Sequence, residues 1–156
     1  MSKFLSFIAL LFTLASCSFF ENKKKVSLPE EKLKMIEADK AFSKLSVEKG
    51  MKMAFLEYID SNGVLLKSNR FPVVGADAVD YLIQQNDSGY TLQWKPDYGA
   101  ISQSGDLGYT YGLYALKIKG KDTTLYGTYV SIWKKQADGK WKFVLDSGND
   151  GVGEAE

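Results

Sequence analysis

The stretch Ser104-Gly105-Asp106-Leu107-Gly108-Tyr109-Thr110-Tyr111-Gly112-Leu113 decides how this chain is read. Gly105-Asp106 has the composition of a tight hairpin turn. From Leu107 onward successive residues fall on opposite faces, which places Leu107, Tyr109, Tyr111 and Leu113 together. The alternation extends both ways. Upstream it covers residues 90–95 and 98–104; downstream it covers 107–119, 123–136 and 140–147. Gly120-Lys121 and Asp138-Gly139 supply the other turns, and tight turns make neighbouring strands antiparallel. Gly105-Asp106-Leu107-Gly108 has a superficial likeness to a phosphate loop. It leads into a strand, however, so no helix N-terminus follows to hold an anion.

Before residue 89 the period changes. Leu33, Ile36, Ala41, Phe42 and Leu45 recur at helical spacing after Pro29, Glu30 and Glu31, which suit a helix's first turn. Gly50 interrupts this stripe. A short helix is predicted over 51–58, with Met51, Ala54, Phe55 and Tyr58 on one face. Ser61-Asn62-Gly63 reads as a turn, 64–66 as a short strand, and Phe71-Pro72-Val73-Val74 as extended chain. A third helix covers 76–85. Helices first and a long meander second make an α+β layout, with the helices on one face of the sheet.

The first residues read as an address. Lys3 precedes an apolar run from Phe4 to Leu14, interrupted by Ser6 and Thr13. The run suits a signal peptide and is short for a membrane span. Leu14-Ala15-Ser16-Cys17 resembles the lipobox of bacterial lipoproteins, which implies a signal over 1–16 and a lipid on Cys17. Residues 17–28 form the tether, 29–150 the folded domain and 151–156 a tail. The run Asn22-Lys23-Lys24-Lys25 reads as a solvated linker or as an attraction to anionic head groups. The expected location is the cell envelope, facing the periplasm. Ser18 is compatible with export to the outer membrane.

Composition narrows the chemistry. The chain has 156 residues, one cysteine and no histidine. Ser-His-Asp and Cys-His catalysis are therefore excluded, as is an intrachain disulfide. Removing Lys3 with the signal leaves 19 basic residues against 19 acidic ones, so no electrostatic footprint for nucleic acid exists. No cofactor fingerprint and no metal-ligand spacing is present, and no cofactor is expected.

Several segments, read in order, resemble the nuclear transport factor 2-like superfamily. They are Ala38-Asp39-Lys40-Ala41-Phe42, Gly50 with Ala54-Phe55, Val74-Gly75, Leu92-Gln93-Trp94-Lys95-Pro96 and residues 104–112. Gly127-Thr128-Tyr129-Val130-Ser131-Ile132-Trp133-Lys134-Lys135, Asp138-Gly139-Lys140-Trp141 and Asp146-Ser147-Gly148 complete the set. The likeness is nearest to a bacterial branch of domains of unknown function, close to the SnoaL-like polyketide cyclases. It implies a cone in which three N-terminal helices pack on a curved antiparallel sheet and leave a pocket. Some members are isomerases, dehydratases or cyclases; others bind ligands or partners, and many dimerise through the outer sheet face. SnoaL-like enzymes often pair a pocket Asp with a His, and this chain has none.

Two acids are candidate catalytic groups. Asp39 shares the apolar face of Ile36 and Phe42, where it either enters a pocket or is held structurally. Asp146 lies near the end of the last strand, and strict alternation puts it with Val144 and Lys142, opposite Phe143 and Leu145. Asp39, Phe42, Trp94, Tyr111, Tyr129 and Trp133 are the candidate ligand-binding set, because aromatics with polar tips suit a flat organic molecule. Tyr129 and Trp133 share one face by period 2. Gly108, Gly112 and Gly127 in strand interiors either make bulges or leave room for a large neighbour. The leading expectation is a lipid-anchored protein that binds a small hydrophobic or aromatic molecule. The alternatives are a metal-free acid–base isomerase, dehydratase or cyclase using Asp39 with Tyr111 or Tyr129, and an association module that forms a homodimer.

Overall fold

The computed structural model describes residues 27–152. The signal, Cys17, most of the tether and residues 153–156 lie outside the described residues. Helix α1 spans Leu28–Lys49 and α2 Met51–Tyr58; strand β1 (Ile59–Leu66), β2 (Val73–Val74) and helix α3 (Ala76–Ile83) follow. Four long strands complete the chain: β3 (Tyr90–Ile101), β4 (Leu107–Ile118), β5 (Thr124–Lys135) and β6 (Trp141–Asp150). With β1 and β2 they form one six-stranded sheet in the order β2-β1-β6-β5-β4-β3. The layout is α+β, as the change of period predicts.

The sheet is mixed rather than wholly antiparallel. β1 runs parallel to β6, with Leu65 opposite Asp146 and Leu66 opposite Ser147. A parallel neighbour needs a crossover, and here everything from β2 to β5 supplies it. Ser61-Asn62-Gly63 is not a turn ahead of a strand that starts at 64. It is absorbed inside β1 as an irregularity between Ile59 and Val64, closed by the Asn62 N–H donating to the Asp60 carboxylate at 2.8 Å. The segments 90–95 and 98–104 are likewise one strand, β3, carrying a bulge between Pro96 and Tyr98. Proline has no N–H for the ladder, so a bulge at an edge strand is where it fits.

Edge strand β3 is covered by α1, and the cover is polar. The Ser43 hydroxyl donates to the Trp94 carbonyl at 2.6 Å and accepts from the Trp94 N–H at 2.9 Å. One turn on, the Ser46 hydroxyl donates to the Leu92 carbonyl at 2.8 Å. These bonds satisfy backbone groups that would otherwise template another strand. Helix α1 ends at Gly50, whose φ of 91° favours glycine, and whose missing side chain leaves room for the Asp87 carboxylate. That carboxylate accepts from the Lys52 N–H and so caps α2 from outside the helix.

Between the helices and the sheet sits an aromatic core centred on Phe42. Its ring lies 4.5 Å from Trp94, 4.8 Å from Phe55 and 5.5 Å from Phe143, measured between centroids. Of the two glycine readings, room for a neighbour is the one met at Gly108 and Gly127. A side chain at Gly108 would collide with Met35 and the Ala100 carbonyl, and one at Gly127 with the Tyr114 ring and the Asn149 carbonyl. These glycines make room for large neighbours on the inner face.

Candidate functional site

The inner face of the sheet is lined by every second residue of β4 and β5. Gly108, Thr110 and Gly112 of β4, and Gly127, Tyr129, Ser131 and Trp133 of β5, are buried there. Tyr129 and Trp133 thus share a face, as period 2 predicts. On β6 the parity breaks. Ile132 pairs with Leu145 but Trp133 pairs with Phe143, which leaves Val144 as an extra residue. A bulge of one residue reverses every side chain beyond it. Asp146 therefore joins Trp141 and Phe143 on the interior side and is 6% exposed. The expectation that it shares a face with Val144 and Lys142, opposite Phe143, is corrected by this bulge.

Both candidate acids are therefore inside the protein. Asp39 is 0% exposed. Its Oδ1 accepts from Trp94 Nε1 and its Oδ2 from the Tyr129 hydroxyl, both at 2.7 Å. Thr110 is a further hydrogen-bond partner, and its hydroxyl oxygen accepts from Trp133 Nε1 at 2.8 Å. Burial pushes the Asp39 carboxyl above the ordinary carboxylate range, and the Trp94, Tyr129 and Thr110 hydrogen bonds pull it back. Burial, with Asp39 beside it, also drives the Tyr129 hydroxyl upward, so it stays protonated and donates.

Asp146 is held differently. Its Oδ2 accepts from the Ser131 hydroxyl at 2.8 Å. Its Oδ1 faces the Lys67 ammonium at 3.8 Å, an ion pair longer than a hydrogen bond. Burial pushes the Asp146 carboxyl up, against the opposing pull of Lys67 and Ser131. Asp146 and Lys67 line a cavity of about 200 Å³ with Phe55, Leu92, Trp94, Tyr114, Leu116 and Tyr129. Asp150 stands on the same wall and accepts from the Tyr114 hydroxyl at 2.8 Å. Burial and this carboxylate push the Tyr114 hydroxyl up to about 12.

The structure therefore divides the sequence-derived candidates. Trp94, Tyr129 and Asp146 meet at the cavity. Asp39, Phe42 and Trp133 lie beneath it in the packed core, at 1% exposure or less. Tyr111 is on the opposite face of the sheet, 47% exposed, with its ring 5.9 Å from Tyr98. Tyr111 cannot serve Asp39 as a partner across the sheet. Lys67, Phe55 and Tyr114 were not singled out by sequence reasoning as site residues. Lys67 carries no local signal, because only the parallel pairing of β1 with β6 brings it to Asp146. Gly127 pointed toward Tyr114: a strand glycine flags a large neighbour without naming it.

Solved structures share this architecture. A ketosteroid isomerase-like protein from Erwinia carotovora superposes with a TM-score of 0.65 at 15% identity, over 80% of this chain and 98% of that one. A nuclear transport factor 2-like protein with a cystatin-like fold from Novosphingobium aromaticivorans gives 0.64 at 15% identity, over 82% and 86%. A nuclear transport factor 2-like superfamily protein from Salmonella enterica gives 0.60 at 14% identity, over 83% and 100%. No family model matches the sequence, and no curated protein matches it. The class that these likenesses define is the nuclear transport factor 2-like fold: helices closing over a curved sheet, with a pocket on the concave side. At such identities the likeness reaches the fold and stops short of a reaction.

Proposed function

We propose that this protein binds a small hydrophobic or aromatic molecule in the cavity between α2 and the inner face of the sheet. The observation that carries this reading is the wall itself. Phe55, Leu92, Trp94 and Tyr129 offer apolar and aromatic surface, and a buried carboxylate, Asp146, stands among them with an acceptor oxygen short of a hydrogen-bond donor. Concave apolar sites with a few convergent polar groups are where small molecules bind. The direct test is ligand-induced stabilisation in a thermal-shift screen of aromatic compounds, repeated with Trp94→Ala and with Tyr111→Ala. Stabilisation lost with Trp94→Ala and kept with Tyr111→Ala supports the cavity. Equal responses from both variants overturn it.

The acid–base alternative changes its residue. Asp39 is enclosed and already accepts on both oxygens, whereas Asp146 meets the cavity. An isomerase or lyase built on this chain would use Asp146. The association reading has an observation of its own: Tyr98, Leu107, Tyr109, Tyr111 and Leu113 are exposed large side chains of β3 and β4. A homodimer through this outer face would cover them, and sedimentation at rising concentration tests it. The lipid anchor on Cys17 belongs to the same proposal and places the cavity in the cell envelope. Radiolabelled palmitate incorporated by the wild type and not by Cys17→Ser is the outcome it requires.

A further inference from the structure

We infer that the ligand of this cavity is an amine, and that its ammonium group takes the place now occupied by Lys67 Nζ, between the Phe55 ring and the Asp146 carboxylate. The inference rests on the cavity being a ligand site and adds the charge of what enters.

Three observations carry it. First, the side-chain donors of the aromatic walls are already engaged. Trp94 Nε1 and the Tyr129 hydroxyl both donate to Asp39, and the Tyr114 hydroxyl donates to Asp150. Asp146 Oδ1 remains an open acceptor beside the Ser68 and Ser147 hydroxyls, so a ligand that brings a strong donor finds a partner there. Second, the walls hold two carboxylates, Asp146 and Asp150, against one lysine. An anionic ligand would face both and rely on Lys67 alone. Third, the position already holds an ammonium, and holds it loosely. Lys67 Nζ is 3.8 Å from Asp146 and 5.2 Å from the centroid of the Phe55 ring, with the side chain 32% exposed. A carboxylate and an aromatic face are the two partners an organic cation seeks. Lys67 follows the last residue of β1, so its flexible stem can swing to solvent and give up the site.

The test uses three probes of similar shape: 2-phenylethylamine as cation, 2-phenylethanol as neutral molecule and phenylacetate as anion. Each is titrated into the purified protein at neutral pH and low salt, with backbone amide shifts read around Asp146 and Leu92. The amine should bind about tenfold more tightly than the alcohol, and phenylacetate least of all. Lys67→Met should tighten the amine severalfold and leave the alcohol unchanged. Asp146→Asn should bring amine and alcohol to the same affinity. Phenylacetate binding best, and losing that advantage in Lys67→Met, overturns the amine and makes Lys67 the anchor of an anion. Equal affinities for amine and alcohol in the wild type also overturn it while leaving the cavity a ligand site. No shift from any of the three overturns both readings.

Discussion

Asp39 and Asp146 are both carboxylates buried on the concave side of one sheet, yet the protein treats them in opposite ways. Asp39 receives a donor on each oxygen at 2.7 Å and makes no part of the cavity wall. Asp146 receives one hydroxyl, keeps its other oxygen 3.8 Å from a lysine and faces open space. Burial alone therefore does not mark a functional acid. What separates the two is how many of their lone pairs the fold has already used. A saturated carboxylate ties helix α1 to β3 and β5 and acts as a structural pin; an undersatisfied one retains the capacity to bind.

The comparison makes Asp39→Ala the most damaging change. It leaves Trp94 Nε1 and the Tyr129 hydroxyl buried without an acceptor, at about 3 kcal/mol or more in total. Urea unfolding should show this as a lower midpoint, and a loss below about 1 kcal/mol would end Asp39's role as the pin. Gly127→Ala ranks next. Its new methyl group would collide with the Tyr114 ring, which lines the cavity, and with the Asn149 backbone carbonyl, so both must shift. Overpacking of this kind costs about 1–3 kcal/mol. Thermal melting should register that loss, and ligand binding should weaken with it.

Asp146→Asn should cost about 1 kcal/mol or less at neutral pH, because the amide oxygen still accepts from Ser131. Its signature lies in the pH dependence. Burial raises the folded-state pKa of Asp146 above the ordinary 3.8, so the folded state holds a proton the unfolded chain releases. The stabilising contribution of that proton is fully present below 3.8 and is lost as pH rises through the raised value. Between these limits Asp146→Asn should show a flatter fall in stability with rising pH than the wild type, read from urea midpoints at a series of pH values. A slope as steep as the wild type's would assign the titration to Asp39, which is raised in the same direction. The smallest effect belongs to Tyr111→Ala. At an exposed position it should shift stability by about 0.5 kcal/mol and leave cavity binding untouched. Any response it gives should appear in sedimentation, through the outer face.

Much of the fold is legible along the chain because hairpin turns and strand periods are local. Gly105-Asp106, Gly120-Lys121 and Asp138-Gly139 announce the meander, and the stripe through Ile36 and Phe42 announces α1, although Leu33 and Ala41 of that stripe are exposed and Met35 packs inward instead. Asp39 on that stripe is legible as an inward-facing acid, though its partners are not, since Trp94 and Tyr129 come from strands 55 and 90 residues away. The alternation rule holds on β4 and β5 and fails on β6, because a bulge at Val144 depends on the neighbouring strand and not on β6 alone. Lys67 stays invisible for a related reason: nothing near it predicts that β1 will lie parallel to β6.

By itself the sequence determined the α+β class and the alternation along β4 and β5, and its lack of histidine excludes Ser-His-Asp and Cys-His catalysis. These follow from backbone period and composition, which act within a few residues. Only the tertiary structure decided which buried acid is closed and which is open. That choice rests on one parallel strand pairing and one bulge, and both are set by partners distant in the chain.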